Sequence, residues 1–421
     1  MLSISNSPPQ FWRRVSIVLM GTAAAQAIPI VVLPLLTRML TPEALGQYFV
    51  WLGVATVASV VATLRLDVAI FNAKSQDELG FLFQATIVSA VAIAGLLLIS
   101  LVGLHYAVPG WLGKHILSTG LVEVAFMAAI LAISQTTLSV YVYHALFAKQ
   151  ALAKILLSGA VTITQLIAVV AGFGVKGMIL GHVIAAACVV MWLVFDVLRN
   201  LSLDLGEFNF RHYLSTIKAN WRFPVFSVPA DFIGSFSAQL PLFLTSGRFG
   251  NELAGQYALT NRTLATPVGL MAGSILSVFK EEASRQYREL GQCRQAYLKM
   301  FRVLVLLGLP LFAILFFASR ELFSLLFGPE WVKAGEFAQL LAPMFYLKFV
   351  ASPLSYTIYL SNRQARDLVW QIALLAMTAC IFYLFNDIHR AVACYSAGYS
   401  SLYLIYLRIS YQAAKGREDA S

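Results

Sequence analysis

Asp231, Arg262 and Lys348 are the side chains whose positions demand a chemical reason, because each falls inside an apolar stretch long enough to cross a lipid bilayer. A charge at the bilayer centre costs about 2.5–3.5 kcal/mol on insertion scales. A side chain kept there is expected to bind or carry something. An arginine suits an anion, since its planar fork makes two charge-assisted hydrogen bonds and stays ionised when desolvated. Arg262 stands beside Asn261, and no nearby position in that stretch supplies an acid. Lys348 lies near the middle of its stretch, where it either faces a ligand or snorkels to the interface. Asp231 could hold a proton or a cation, or neutralise Arg262, although helical rise places the two roughly 8 Å apart in depth. Two bases against one acid favour an anionic ligand.

Other polar positions lie at the edges of these stretches. Arg38 sits in Leu36-Thr-Arg-Met-Leu-Thr-Pro-Glu43, and Arg65 with Asp67 in Thr63-Leu-Arg-Leu-Asp-Val-Ala-Ile70; both groups read as interface anchors or gate residues. Thr41-Pro42-Glu43 is a helix start, with the cap, the proline at the first helical position and an acid in the first turn. Gln26, one turn before Pro29, is a weaker candidate for a polar ligand. His182 lies near a stretch interior and reads as a donor across a helix interface rather than a proton relay. Gly172-Phe-Gly-Val-Lys-Gly177 has the GxGxxG spacing but no strand before it, so it reads as a tight turn. Gly269-Leu-Met-Ala-Gly273 reads as close helix packing. The sequence holds no P-loop and no HExxH, and Cys188, Cys293, Cys380 and Cys394 form no metal or disulfide pattern and read as small membrane-buried hydrophobes.

The elements that must position these residues are helices. Of 421 residues, 59% are hydrophobic and 12% charged, which excludes a soluble enzyme. Apolar stretches near 15–36, 44–64, 81–104, 121–141, 155–173, 178–198, 223–246, 256–279, 300–319, 337–360, 367–386 and 391–409 are apolar all round rather than alternating, so they predict twelve transmembrane helices and no barrel. Lys and Arg number 21 on the N-terminal side of these spans and 7 on the other, which places both termini in the cytoplasm. The net charge of +10 is dispersed among short loops and so reports orientation rather than nucleic-acid binding. Glu43-Ala-Leu-Gly-Gln-Tyr48 opens the second span and Glu252-Leu-Ala-Gly-Gln-Tyr257 the eighth, and proline-rich spans precede both copies, with Pro29 and Pro34 in the first, Pro224, Pro229 and Pro241 in the seventh. This predicts an all-α polytopic protein of two six-helix lobes, 1–200 and 223–421, joined by a cytoplasmic linker, 201–222, with a second polar cytoplasmic stretch at 280–299.

Four segments carry a resemblance: Gly21-Thr-Ala-Ala-Ala-Gln-Ala-Ile-Pro-Ile30, the Leu36–Glu43 stretch into Leu45-Gly-Gln-Tyr48, Leu64-Arg-Leu-Asp-Val-Ala-Ile70, and Leu326-Phe-Gly-Pro-Glu-Trp-Val-Lys-Ala-Gly335. They resemble the Wzx-type polysaccharide flippases of the multidrug/oligosaccharidyl-lipid/polysaccharide (MOP) exporter superfamily. That resemblance implies two lobes around a central cationic cavity. It implies passage of undecaprenyl-diphosphate-linked oligosaccharide across the bacterial inner membrane for surface polysaccharide, with no catalysis and no cofactor. Coupling to a proton or Na⁺ gradient is implied, as are contacts with membrane lipids and with the glycan polymerase and glycosyltransferases of the same pathway. Arg262 with Asn261 would then hold the diphosphate, Gln26 and Lys348 would line the cavity, Asp231 would be the coupling or charge partner, and Arg38, Arg65 and Asp67 would serve gates. The alternatives are a MATE-like antiporter, which should place acids in the cavity, and a membrane glycan polymerase or ligase. The latter needs a large external loop, whereas 105–120 and 320–336 offer only Glu321, Glu330 and Glu336.

Overall fold

The computed structural model describes residues 8–107, 120–201, 203, 209–361 and 364–416, and among them every regular element is helical. The long helices are α1 (Pro8–Met39), α2 (Pro42–Ala62), α3 (Gln76–Ala107), α4 (Leu121–Tyr143), α5 (Phe147–Val170) and α6 (Gly174–Asn200), then α7 (Val228–Phe249), α8 (Asn251–Leu290), α9 (Arg294–Phe327), α10 (Val332–Leu354), α11 (Gln364–Leu384) and α12 (Ile388–Ala414). Each predicted span lies on one of them. Nine candidate spans among the described residues are long and apolar enough to cross a membrane. α7, α11 and α12 are not among them, the first diluted by Asp231, Arg248 and its serines and glycines, the second with a shorter apolar stretch, Val369–Leu384, and the third diluted by a series of serines and tyrosines. Large apolar side chains such as Leu306 (70%) and Phe317 (77%) stand fully outward on α9. A soluble protein would bury such a surface, and a bilayer covers it.

The chain divides into two compact units, Met1–Gln239 and Leu240–Ser421, so the division falls within α7, beyond the 201–222 linker. In the first, α1 packs on α5, α5 on α6, and α4 on α2, α3 and α6, around Leu66, Ile70, Phe83, Tyr141 and Val197. In the second, α10 packs against α8, α9 and α12, and its Phe337, Ala338 and Leu341 are completely buried.

Local signals decide most helix ends. Thr41 caps α2, its hydroxyl accepting from the Ala44 amide at 3.3 Å, with Pro42 as the first helical residue. Gly172 (φ +80°) and Gly174 (φ +58°) make the tight turn from α5 to α6.

Several expectations need correction. The polar stretch 280–299 is mostly helix, because α8 continues to Leu290 and α9 starts at Arg294. Its residues are good helix formers, and Glu282 pairs with Arg285 and Gln286 one turn on, each such pair adding about 0.2–0.5 kcal/mol. α7 begins at Val228 rather than 223, after one π-helical turn, Phe223–Ser227, in which Pro224 has no amide to give to a regular helix. α10 stops at Leu354, just after Pro353, and a short helix, Tyr356–Leu360, follows. A Cβ at Gly269 or Gly273 of α8 would meet nothing within 4 Å among the described residues. Of the cysteines, Cys293 is buried in the protein, and Cys188 and Cys380 lie on outward faces of apolar helices, where a bilayer would cover them.

The alternation of helix ends makes the charge asymmetry testable. Reporter tags after Gly250 or Phe327 should read as periplasmic, and tags after Lys74, Leu290 or Lys415 as cytoplasmic. A periplasmic report after Leu290 would overturn the orientation. Residues 110 and 208, also natural tag positions, lie outside the described residues, as do Lys114, His115, Arg363 and Arg417.

Candidate functional site

The structure assembles one cluster of the singled-out charges. Helix α2 ends at Thr63, whose hydroxyl accepts from the Arg65 amide at 3.1 Å, and the next two residues, Leu64 (φ +48°) and Arg65 (φ +55°), are left-handed. This reverses the chain into the short helix Leu66–Ala69, whose Leu66, Ala69 and Ile70 neighbour are wholly buried and whose Asp67 is 1% exposed. From the reversal the Arg65 side chain reaches two carboxylates: its Nε lies 2.7 Å from Asp231 Oδ2, and Nη1 lies 3.6 Å from Asp67 Oδ2. The closer contact is one of charge rather than an aligned hydrogen bond, and Asp67 Oδ1 is buried with no hydrogen-bond partner among the described residues. Burial pushes the Asp67 carboxyl above its ordinary range, while the Arg65 charge and the Thr63 hydroxyl act against that rise.

Arg65 is thus one partner of Asp231 within the first unit, a pairing that sequence reasoning did not offer. Partly exposed pairs of this kind contribute about 0–1 kcal/mol to stability. The contact's contribution to folding is therefore small.

Arg262 and Asn261 are neighbours on α8 in the second unit, both half-buried. Lys348 is half-buried on α10, with its Nζ 5.7 Å from the centre of the Phe345 ring. Gln26 and Arg38 are both exposed on α1, in the first unit. The cavity candidates are thus divided between the units, Gln26 on one and the other three on the second.

Two further clusters escaped the sequence reading. Asp196 on α6 accepts from Tyr141 (2.7 Å), Lys149 (3.0 and 3.1 Å) and Asn200 (2.7 Å), so four hydrogen bonds from three residues satisfy both oxygens. Its signal was an acid at the inner end of a predicted span. In the second unit, Trp370 of α11 stacks on Tyr406 at 4.6 Å and packs on Tyr403 at 5.3 Å, within a line of α12 tyrosines at 395, 399, 403 and 406. The spacing of about one helical turn was its signal.

The duplicated hexapeptide has matching surroundings in the two units. Tyr48 and Tyr257 are both buried, Tyr48 bonding His182 Nδ1 of α6 at 2.8 Å and Tyr257 bonding Tyr395 of α12. His182 does act across a helix interface, with Gln165 donating to Tyr48 at 2.7 Å. Gln256, in the second copy, clamps the Leu326–Gly335 segment: its side chain donates to Glu330 O at 2.7 Å and accepts from Ala334 N at 2.9 Å.

A model of the family described as polysaccharide biosynthesis protein matches residues 35–336, from the end of α1 into α10. The chain belongs to that family. No curated protein matches this polysaccharide biosynthesis protein family member. Among solved structures, an inward-facing MATE-family multidrug resistance transporter of the MOP superfamily is similar with a TM-score of 0.70 at 13% identity, over 95% of this chain and 97% of that one. The lipid II flippase MurJ in an inward closed conformation gives 0.68 at 12% identity, over 96% and 87%. A MOP superfamily transporter from Pyrococcus furiosus gives 0.59 at 13%, over 97% and 96%. These likenesses establish the MOP transporter fold for this family member.

Proposed function

We propose that this polysaccharide biosynthesis protein is a flippase that carries undecaprenyl-diphosphate-linked oligosaccharide across the bacterial cytoplasmic membrane by alternating access, feeding surface polysaccharide assembly. The observation that carries the reading is the family match together with a MOP fold shared with the lipid II flippase MurJ, itself a carrier of a lipid-linked substrate. A diphosphate and a glycan cannot cross hydrocarbon unaided, and the chain places Arg262, Asn261 and Lys348 on helices of the second unit. In this reading Arg262 and Asn261 hold the diphosphate, Lys348 and Gln26 line the path, and Arg65 with Asp67 and Asp231 forms a cytoplasmic gate. Arg38 anchors the other end of α1. Twelve spans in two six-helix lobes, cytoplasmic termini, a proton or Na⁺ gradient as the energy source, and a pathway polymerase and glycosyltransferases as neighbours complete the proposal.

The test is direct. Proteoliposomes holding the purified protein and a fluorescent undecaprenyl-diphosphate oligosaccharide should expose the labelled lipid to an impermeant quencher at least several times faster than protein-free vesicles. Quencher exposure at the protein-free rate, combined with proton-driven efflux of a cationic dye, would replace this reading with the MATE-like antiporter.

A further inference from the structure

Arg65 is one cation between two acids, and the two acids are unlike. Asp231 is partly exposed at the start of α7, whereas Asp67 is sealed in the core with one oxygen lacking a partner. When both are ionised the trio carries one uncompensated negative charge. We propose that Asp67 is a proton-binding site, and that the proton on it decides how firmly Arg65 holds Asp231 and hence the first turns of α7. This rests on the gate reading above and assigns the gate its ligand.

The geometry sets the direction. A proton arriving from water bonds to Asp67 Oδ1, the oxygen with no present partner, and the carboxyl becomes neutral. Arg65 then has a single anion to serve, Asp231 at 2.7 Å, and the gate contact is at its strongest. When the proton leaves, Asp67 competes for Arg65 from 3.6 Å, and the charge left over weakens the hold on Asp231. The burial that raises the Asp67 carboxyl moves this exchange toward neutral pH.

The titratable groups on the elements packed around the trio include two histidines: His144 at the end of α4, which burial holds below its ordinary range, and His212 of the Phe210–Ala219 helix, whose ring lies 5.6 Å from that of Phe81 on α3. The Leu66–Ala69 helix packs on α3, α4 and the Phe223–Ser227 turn. α4 presents Tyr141 and Tyr143, committed to Asp196 and to the Ala73 carbonyl, and the Phe210–Ala219 helix presents Tyr213, bonded to Ser89. α3 carries Asp77 and Glu78 in its first turn, where Glu78 accepts from the Lys74 amide. The turn at 223–227 has no titratable side chain, and α7 contributes Asp231 itself.

The experiment needs no substrate. Spin labels at Lys74→Cys and Val225→Cys, both exposed positions, are placed in a full-length protein whose four native cysteines are replaced, and the protein is reconstituted in nanodiscs. Electron–electron distances are then read from about pH 5 to about pH 9. In the otherwise unchanged protein the short-distance population should fall several-fold as pH rises. Asp67→Asn, a neutral side chain of the same shape, should keep that population at every pH, and Asp231→Asn should lack it at every pH. A parent distribution that does not move with pH, or an Asp67→Asn variant that titrates like the parent, would overturn the proton site while leaving the gate standing. An Asp231→Asn variant indistinguishable from the parent would instead overturn the gate reading on which the site depends.

Discussion

Arg262→Ala should reach the membrane at the parental level and lose about 100-fold or more of its glycan export. The figure follows from two charge-assisted hydrogen bonds to the diphosphate, each contributing at least about 1.5 kcal/mol. Folding should be spared, because the change removes a charge that is costly in hydrocarbon. Arg262→Lys keeps the charge without the fork, so an intermediate rate is expected. If Arg262 holds the diphosphate, the loss in Arg262→Ala should not be repaired by Asp231→Ala, since no anion clamp would remain at that position. Complementation of a flippase-deficient strain, normalised to membrane protein level, measures all three. Parental export by Arg262→Ala would remove the anion-binding role from this residue.

The largest structural effect should come from Gly335→Ala. A Cβ there would lie 2.6 Å from Arg320 Cα and 2.7 Å from the Ser319 carbonyl oxygen, both backbone atoms of α9. No rotamer change relieves such a contact, so α9 and α10 would have to separate. Separation strains the Ser319 hydroxyl bond to Gly335 O (3.0 Å) and the Gln256 clamp one residue away. Overpacking of this kind costs about 1–3 kcal/mol, and here at the upper end. Gly269→Ala, in open space on α8, is the control, expected to be neutral or to stabilise its helix by up to about 1 kcal/mol. Thermal unfolding in detergent should show a marked drop for the first variant alone. Equal midpoints for Gly335→Ala and the parent would show that the two helices give way at little cost.

What could be read in advance follows from how local the cause was. The apolar stretches, the Thr41 cap and the 172–177 turn were legible because each is set by residues adjacent in the chain. The extension of α8 was missed because polar residues were read as loop, although Glu282, Arg285 and Gln286 favour a helix at any polarity. The GxxxG spacing places two glycines on one face but says nothing of what lies opposite. The pairing of Arg65 with Asp231 spans most of the first unit and depends on a left-handed reversal at non-glycine residues, which composition does not announce. Both residues had been singled out; their meeting had not.

Leu64 and Arg65 hold backbone angles that cost an ordinary L-residue roughly 1–2 kcal/mol each. That is more than the ion pair itself returns. The reversal is therefore a loaded spring, held down chiefly by the complete burial of Leu66 and Ile70 and tipped only slightly by Arg65. A spring of that kind needs little force to trip. If Asp67 binds a proton as proposed, that one charge acts at the tip of the turn, while the buried anchor keeps the turn itself from unfolding.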